Sequence, residues 1–357
     1  MSEKYFLGAM TQFGFSTEFG KIIEDKENFT YILKGGPGTG KSSLMKKVAA
    51  AFEDREKVTR FCCSSDPESL DAVWLRESKT VIVDGTAPHV FDPCYPGCCQ
   101  KLIDLGENWD EEELACHRDE IIELTDKNKS LLARAKRFST ALSNVCGDTY
   151  CCASSCINTE KLNAFLGRFM KKIFARHGSG TGRMDIRQLS ALTEHGCMTQ
   201  METLEEYGEI YLLCDDYYSC AHLFVEKLAK EAIHRNYDVI LCPAHAFNNT
   251  VYEHLLIPET GIALVLSSPL SGLGIEGANS INLVRFYDKD KLTPYKNRLK
   301  LNRLTSADLA AEVYKTIREA KAVHDGIESF YVKAMDFAKL DALVPYITEN
   351  ILKRTKS

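Results

Sequence analysis

The chain has 357 residues, with 44 Lys and Arg against 50 Asp and Glu, so its formal net charge is -6. At roughly 100–200 residues per domain the length predicts two domains, and the hydrophobic and charged fractions, 45% and 26%, are those of an ordinary globular protein. No basic block suits a nucleic acid, no N-terminal signal pattern is present, and no apolar run nears the roughly 18 residues that span a bilayer, so we expect a cytoplasmic protein.

The first strong local signal is a strand, a glycine-rich loop and a helix in direct succession. The run Phe29–Lys34 is rich in aromatic and β-branched residues, which predicts a buried strand. The sequence GGPGTGKS follows from Gly35 to Ser42. After it, apolar residues recur on one face of a predicted helix, at Leu44, Met45, Val48, Ala49 and Phe52. This order gives the pattern GxxxxGK(S/T) the flanking structure of a phosphate-binding loop. The alternative is a glycine-rich turn that binds no ligand.

The loop offers the groups that a nucleoside triphosphate with Mg²⁺ needs. Its glycines permit positive φ angles and a close backbone approach, so successive N–H groups can surround phosphate oxygens. We expect the ammonium of Lys41 to reach the β- and γ-phosphates and the hydroxyl of Ser42 to ligate Mg²⁺. Pro37 fixes one φ angle and stiffens the loop. We therefore predict an ATP site formed by Gly35, Gly36, Pro37, Gly38, Thr39, Gly40, Lys41, Ser42 and Ser43.

A second apolar run, Thr80–Asp84, ends in a carboxylate. In folds with a phosphate-binding loop, an aspartate at the tip of the neighbouring strand completes the Mg²⁺ shell, and we assign this metal role to Asp84 together with Ser42. The alternative for Asp84 is a strand-ending residue that starts a turn. Gly85 follows Asp84, where fast ATPases often carry a glutamate that polarises the attacking water, so we expect slow turnover.

The general base must then come from elsewhere. His89 follows soon after in GTAPH and could lie near the γ-phosphate, although a structural histidine is the alternative. Asp66 and Asp71 follow the predicted strand Val58–Cys63, at the strand end where open α/β sheets bind ligands. The same segment also has the sequence of a turn with a helix cap, in which Ser64, Ser65 and Asp66 precede Pro67 at a first helical position, and this turn and the site do not exclude each other. The candidate catalytic residues are Lys41, Asp84 and His89.

The second half of the chain repeats the first at low identity. The segment YILKGGPGTGKSSLMKKVA from Tyr31 corresponds without a gap to YLLCDDYYSCAHLFVEKLA from Tyr211, 180 positions later. Other fragments follow in the same order: GAMTQFGF matches SALTEHGC, FCC matches LCP, ESKTVIVD matches ETGIALVL, and KLNAFL matches KLDALV. Collinear matches of this kind indicate an internal duplication. We therefore predict an α/β fold of two tandem P-loop NTPase-like domains, 1–178 and 179–357, each a mostly parallel sheet flanked by helices.

The second copy lacks the chemical groups of the first. At the positions of Gly35, Gly40, Lys41, Ser42 and Asp84 it carries Asp215, Cys220, Ala221, His222 and Leu266. Asp215 and Asp216 bring two carboxylates to positions where they would repel phosphate. We expect the second half to keep the fold without binding a triphosphate in the usual manner.

Three further segments lie outside the repeated motifs. The glycine-rich His177–Arg183 predicts an interdomain linker rather than a ligand loop. Helical spacing over Asp110–Leu142 and Ser306–Ala338 predicts helical extensions whose charge runs are solvated faces. Cysteine is abundant, with 14 residues, but the cluster Cys146, Cys151, Cys152 and Cys156 lacks the paired CxxC spacing of zinc sites, which favours core or loop thiols over a metal site.

With these segments the chain resembles a poorly characterised family of bacterial P-loop ATP-binding proteins built from two tandem nucleoside-triphosphatase-like halves. The matching stretches are FLGAMTQFGF, YILKGGPGTGKSSLMKK, FCCSSDPESLDAV, VIVDGTAPHVFDPCYPG and LIDLGENWDEEEL. The resemblance implies ATP binding at Gly35–Ser42 and makes Asp84 and His89 part of a family pattern. Related members carry a phosphate loop in the second half too, so the replacement at Asp215–His222 departs from them and puts a second site in doubt.

Three functions fit these features. The leading hypothesis is an ATP-binding protein with Mg-dependent ATPase activity, in which hydrolysis drives a conformational change. The second is a kinase that transfers the γ-phosphate to a small molecule or nucleotide held near Asp66, Asp71 and His89. The third is an ATP-regulated scaffold that rarely cleaves ATP and binds a protein partner through the degenerate half. ATP and Mg²⁺ are the expected cofactors, and neither a nucleic acid nor a membrane is an expected partner.

Overall fold

The computed structural model describes residues 2–11, 14–17, 19–87, 90–247 and 251–355. They form two compact units. The first unit comprises Met1–Ala9, Phe15–Ala135 and Lys315–Ser357, and the second comprises Met10–Gly14 and Lys136–Tyr314. Within the described ranges, no helix combines the length and apolar character needed to cross a membrane.

In each half of the chain, strands with interspersed helices come first and a run of helices follows. The strands of the first half are β1 (Ser2–Phe6), β2 (Ala9–Thr11), β3 (Gly14–Ser16), β4 (Phe29–Lys34), β5 (Val58–Cys62), β6 (Leu70–Leu75), β7 (Thr80–Asp84) and β8 (Gln100–Asp104). Those of the second half are β9 (Met184–Ile186), β10 (Ser190–Thr193), β11 (Gly196–Thr199), β12 (Glu209–Cys214), β13 (Val239–Pro243), β14 (Tyr252–Ile257), β15 (Ile262–Ser267) and β16 (Asn279–Asn282). The α-helices are α1 (Gly20–Glu24), α2 (Lys41–Phe52), α3 (Glu111–Cys116), α4 (Arg118–Ser154), α5 (Thr159–Ile173), α6 (Met201–Leu204), α7 (Ser219–His234), α8 (Lys289–Leu292), α9 (Lys296–Ala334) and α10 (Phe337–Arg354).

The first unit is built on a six-stranded mixed sheet in the order β1-β5-β6-β7-β4-β8. Strand β6 runs antiparallel to β5 and β7, and the remaining neighbours pair in parallel. Strand β4 has parallel neighbours on both sides, and its Tyr31, Ile32 and Leu33 are buried. This burial explains why β4 is a continuous apolar run rather than an alternating one.

The sheet of the second unit has the same plan, in the order β9-β13-β14-β15-β12-β16. Its β14 is the strand that runs antiparallel to both neighbours, β13 and β15. Leu33 pairs with Asp84 in the first sheet, and Leu213 pairs with Leu266 in the second, so strand register gives the same residue correspondence as the sequence repeat. The predicted α/β class, with two mostly parallel mixed sheets flanked by helices, is confirmed.

The compact units differ from the predicted division into 1–178 and 179–357. Their boundaries fall inside α4, after Ala135, and inside α9, after Tyr314. Helix α5 therefore belongs to the second unit, and the end of α9 with all of α10 belongs to the first.

Aromatic and ionic contacts explain this assignment. On α5, the rings of Phe165 and Phe169 lie 6.1 and 5.5 Å from that of Phe224 on α7, between centroids. In the first unit, α10 packs on α2, and Nζ of Lys47 lies 2.5 Å from Oδ1 of Asp341. Sequence order alone could not predict that the last helices return to the first sheet.

The segment His177–Arg183, predicted as an interdomain linker, is bonded within the second unit. Oδ1 of Asp238 accepts hydrogen bonds from the N–H groups of Thr181 and Arg183 at 3.0 and 2.8 Å. The N–H of Gly178 donates to the carbonyl of Arg235 at 2.8 Å. These bonds attach the segment to the turn that precedes β13.

Candidate functional site

The predicted phosphate loop and Asp84 lie at one edge of the first sheet. Strands β4 and β7 are parallel neighbours, and Leu33 pairs with Asp84 at their carboxyl ends. The loop from Gly35 to Ser42 therefore leaves the sheet beside the Asp84 carboxylate. This edge is where open α/β sheets bind ligands.

Glycine conformation makes the sharp turn between β4 and α2 possible. Gly38 and Gly40 have φ angles of 69° and 78°, in the left-handed region that glycine adopts without strain. The hydroxyl of Thr39 donates to the carbonyl of Gly36 at 2.9 Å and closes the turn. Helix α2 begins at Lys41, so the positive end of its dipole faces the loop. Of the other predicted loop residues, Gly35 and Pro37 are half-buried and Ser43 is exposed.

Lys41 folds back into the loop. Its Nζ donates to the carbonyls of Gly35 and Gly36 at 2.7 and 2.8 Å, and lies 3.6 Å from Oδ2 of Asp84. Burial lowers the pKa of Lys41, and the charge of Asp84 opposes this effect. Phosphate oxygens are stronger acceptors for an ammonium than neutral carbonyls, so a bound phosphate could replace both carbonyls as the partner of Lys41.

The two predicted metal ligands are held by backbone and hydroxyl groups. Oγ of Ser42 accepts a hydrogen bond from the N–H of Leu70 at 2.9 Å. Oδ1 of Asp84 accepts from the N–H and the hydroxyl of Thr86 at 2.9 and 2.5 Å. A hydroxyl and a carboxylate are hard oxygen donors, the kind that Mg²⁺ prefers.

Among the described base candidates, Asp71 is the carboxyl whose pKa is shifted by the charges of Asp84 and Lys41. Asp71 lies in β6 and is 6% exposed. Burial, and then the charge of Asp84, raise the pKa of Asp71 to about 8, and the Lys41 charge opposes the rise. Asp71 therefore holds its proton at neutral pH in this state of the site. His89 lies outside the described residues.

Asp66 occupies a turn and not a helix cap. The N–H of Ser69 donates to the carbonyl of Asp66 at 2.9 Å, and β6 begins at the next residue. No helix follows Pro67, because the run that begins at Leu70 pairs as a strand with β5 and β7. Oδ2 of Asp66 lies 3.5 Å from Nζ of Lys321 on α9.

The C-terminal helices cover the loop. The N–H of Gly38 donates to Oε1 of Glu328 on α9 at 3.3 Å. A Cβ added at Gly38 would lie 2.8 Å from the Glu328 carbonyl oxygen, and one at Gly36 would lie 3.2 Å from the Tyr331 ring. The Trp109 ring lies 5.2 Å from that of Tyr331, between centroids. An amide that we predicted to bind phosphate thus binds a carboxylate of the same chain.

Sequence reasoning missed Glu328, Tyr331 and Trp109. Glu328 is 290 positions from Gly38, and its segment offers no signal beyond the helical spacing of charged and apolar residues. The helix was predictable, but its partner was not.

One group of side chains has the spacing of metal ligands. Among the described residues it is the only set of three or more His, Cys, Asp or Glu whose donor atoms lie within 4.8 Å of one another, and it consists of His324, Asp325 and Glu328. The cysteine cluster forms no such group there. Cys146, Cys152 and Cys156 are buried thiols, and burial raises the pKa of Cys146.

The corresponding loop of the second unit is filled by its own carboxylate. Asp215 accepts hydrogen bonds from the N–H groups of Ala221 and Tyr217 at 2.8 and 3.0 Å. The hydroxyl of Tyr287 donates to Oδ1 of Asp215 at 3.0 Å and accepts from the N–H of Cys220 at 2.8 Å. Burial raises the pKa of Asp215 to about 6, and these hydrogen bonds oppose the rise. Loop amides of the second copy are therefore already hydrogen-bonded, an obstacle to phosphate in addition to the repulsion expected from the sequence.

Comparison with known proteins identifies no relative of this chain. No protein-family model matches it, and neither a curated protein nor a solved structure matches it. The contacts of Lys41, Asp84 and Gly38 are therefore the basis for inferring a function.

Proposed function

We propose that the first unit binds Mg-ATP at Gly35–Ser42 and hydrolyses it slowly, as a P-loop ATPase. The observation that supports this most is the position of Lys41, whose ammonium is held by two loop carbonyls beside Asp84. The order of β4, loop and α2, with Asp84 at the end of the adjacent parallel strand, supports the same proposal.

The residues at the loop fit a triphosphate. The N–H of Gly38 already binds the carboxylate of Glu328, an anion that stands in for a phosphate oxygen. Loop amides and Lys41 would bind the phosphates, while the oxygens of Ser42 and Asp84 would hold Mg²⁺. ATP supplies the transferable γ-phosphoryl group when it is bound.

Slow hydrolysis is expected because no glutamate directly follows Asp84 in the sequence. Gly85 stands where fast ATPases often have a glutamate. Burial, and then the charge of Asp84, raise the pKa of Asp71 to about 8, so in the free site this carboxyl is a poor acceptor for a proton from water. The chain therefore binds and orients the triphosphate better than it activates the attacking water.

Calorimetric titration of the Lys41→Ala variant with Mg-ATP tests this proposal. Charge-assisted hydrogen bonds contribute about 1.5–3 kcal/mol, so the dissociation constant should rise by roughly tenfold or more. Lys46→Ala is the matched control, because Lys46 lies on the same helix and its Nζ donates to the carbonyl of Glu68 instead of the loop. An unchanged affinity in Lys41→Ala would reject the proposal. Phosphate release without an added acceptor would separate hydrolysis from a kinase reaction.

Regulation of the C-terminal helices by ATP is a second candidate function. It is favoured by the contact of Glu328 with Gly38 and by the packing of Leu340, on α10, near Gly40. A triphosphate at the loop would compete with this contact. Hydrogen exchange of α9 and α10 should then speed up when Mg-ATP is added, and unchanged exchange would remove this candidate.

A further inference from the structure

The second unit contains an open cavity of about 630 Å³. It lies beside the loop that follows β12, and the buried side chains of Tyr218, Leu299 and Ser306 are part of its lining. Small-molecule sites commonly have volumes of roughly 300–1,000 Å³. The cavity is therefore large enough for a metabolite-sized ligand.

Four cations line this space, which we call the basic cavity: Lys289, Lys296, Lys300 and Arg303. Three of them recur at helical spacing on one face of α9, and the fourth comes from α8. In the part of the chain that the structure describes, none of these four side chains forms an ion pair. By contrast, Arg298 on α9 donates to Asp148 at 2.8 Å. The one carboxylate in the lining is Asp216. The cavity thus carries an excess of positive charge without an internal partner.

The position of the cavity matches the nucleotide loop of the first unit. Tyr218 corresponds to Gly38, 180 positions earlier, and likewise has a positive φ angle, 66° against 69°. A tyrosine in this region costs on the order of 1–3 kcal/mol, and such strain concentrates at ligand sites. In the second copy, amides of this loop bind Asp215, and side-chain cations lie in the cavity next to it.

Apolar side chains complete the lining. Leu270, Leu292 and Leu304 line the cavity, and Leu304 is 51% exposed. We propose that the basic cavity binds a small organic anion, with its phosphate or carboxylate groups facing the four cations and its apolar body against these leucines. This site is separate from the nucleotide loop and does not depend on ATP binding there.

Fluorescence titration with anilinonaphthalenesulfonate, an aromatic anion, tests the proposal on the full chain. The probe should bind saturably and more weakly as salt is added. Reversing one nearby charge, in Lys300→Glu, should weaken binding by about tenfold. Lys291→Glu is the matched control, because Lys291 on α8 is exposed like Lys300 but is not part of the lining. This variant should bind the probe with nearly the affinity of the unchanged chain. Lys296→Glu repeats the test one helical turn away.

Displacement of the probe then shows whether the cavity prefers a phosphate or a carboxylate group. Phenyl phosphate, phthalate or both should displace it, and the stronger competitor shows which headgroup the cations prefer, while neutral phenol should not compete. Equal probe affinity in Lys300→Glu and Lys291→Glu, or no displacement by either acid, would overturn the proposal. Mg-ATP binding by Lys300→Glu should be unchanged, so failure here is distinguishable from failure of the nucleotide site.

Discussion

Replacing Glu328 by glutamine should tighten Mg-ATP binding. In the structure its carboxylate accepts the N–H of Gly38 at 3.3 Å, and its charge acts on Lys41. A phosphate at the loop must displace this carboxylate or bind beside its negative charge. Glutamine keeps the shape of the side chain and removes the charge, so Glu328→Gln lowers the cost of binding.

The magnitude follows from the geometry of this contact. A hydrogen bond to a charged group contributes about 1.5–3 kcal/mol. The Glu328 side chain is 41% exposed and the bond is long, so solvent screening reduces the effect to about 1 kcal/mol. That energy corresponds to a roughly fivefold lower dissociation constant for Mg-ATP.

Calorimetry of the Glu328→Gln variant gives the dissociation constant directly. Glu319→Gln is the matched control: Glu319 lies on the same helix, its side chain is 42% exposed, and its carboxylate lies 4.0 Å from Arg134. The control should bind Mg-ATP as the unchanged chain does. If Glu328→Gln binds equally or more weakly, the carboxylate does not compete with phosphate, and the interpretation of this contact is refuted.

Three further variants test individual groups. Asp84→Asn should weaken ATP binding by about tenfold with Mg²⁺ and much less without Mg²⁺, because the lost charge acts through the metal. Calorimetry that showed the same loss of affinity with and without Mg²⁺ would contradict the metal role. The pKa of Asp71 is raised to about 8, so its contribution to stability falls as the pH rises from about 4 to 8. In urea unfolding, the Asp71→Asn variant should be more stable than the unchanged chain by about 5 kcal/mol at pH 8 and equally stable near pH 4. Burial opposes the ionisation of Glu253, but the charges and hydrogen bonds of His245 and His254 outweigh burial and lower the pKa of Glu253 to about 2. The ionised carboxylate therefore stabilises the fold above about pH 4.5, and this stabilisation is lost as the pH falls toward 2. Glu253→Gln should therefore lower the free energy of unfolding by about 3 kcal/mol at pH 7 and by progressively less below pH 4.5 in urea unfolding. A loss of stability that does not change with pH would contradict the ion pair.

Local sequence signals predicted the two strands that flank the loop. The predicted strands Phe29–Lys34 and Thr80–Asp84 coincide with β4 and β7. Both are short apolar runs with turn residues directly after them, so their length and ends follow from neighbouring residues alone. Their pairing in parallel brings Asp84 to the loop, as expected for adjacent strands of an α/β sheet.

Contacts between distant residues were not predictable in the same way. The contact between Gly38 and Glu328 depends on where α9 packs. A helical sequence pattern does not identify the segment against which the helix packs. The antiparallel insertion of β6 was obscured because Asp66 and Pro67 have the sequence of a helix start. In the second loop, the sequence predicted repulsion by Asp215, whereas the structure has this carboxylate bonded to the loop's own amides.

A structure with a non-hydrolysable ATP analogue and Mg²⁺ tests the central claim most directly. We predict that Nζ of Lys41 leaves the carbonyls of Gly35 and Gly36 and contacts phosphate oxygens, while Glu328 releases the N–H of Gly38. A complex in which the analogue binds elsewhere and Lys41 keeps both carbonyl contacts would contradict the proposed nucleotide site.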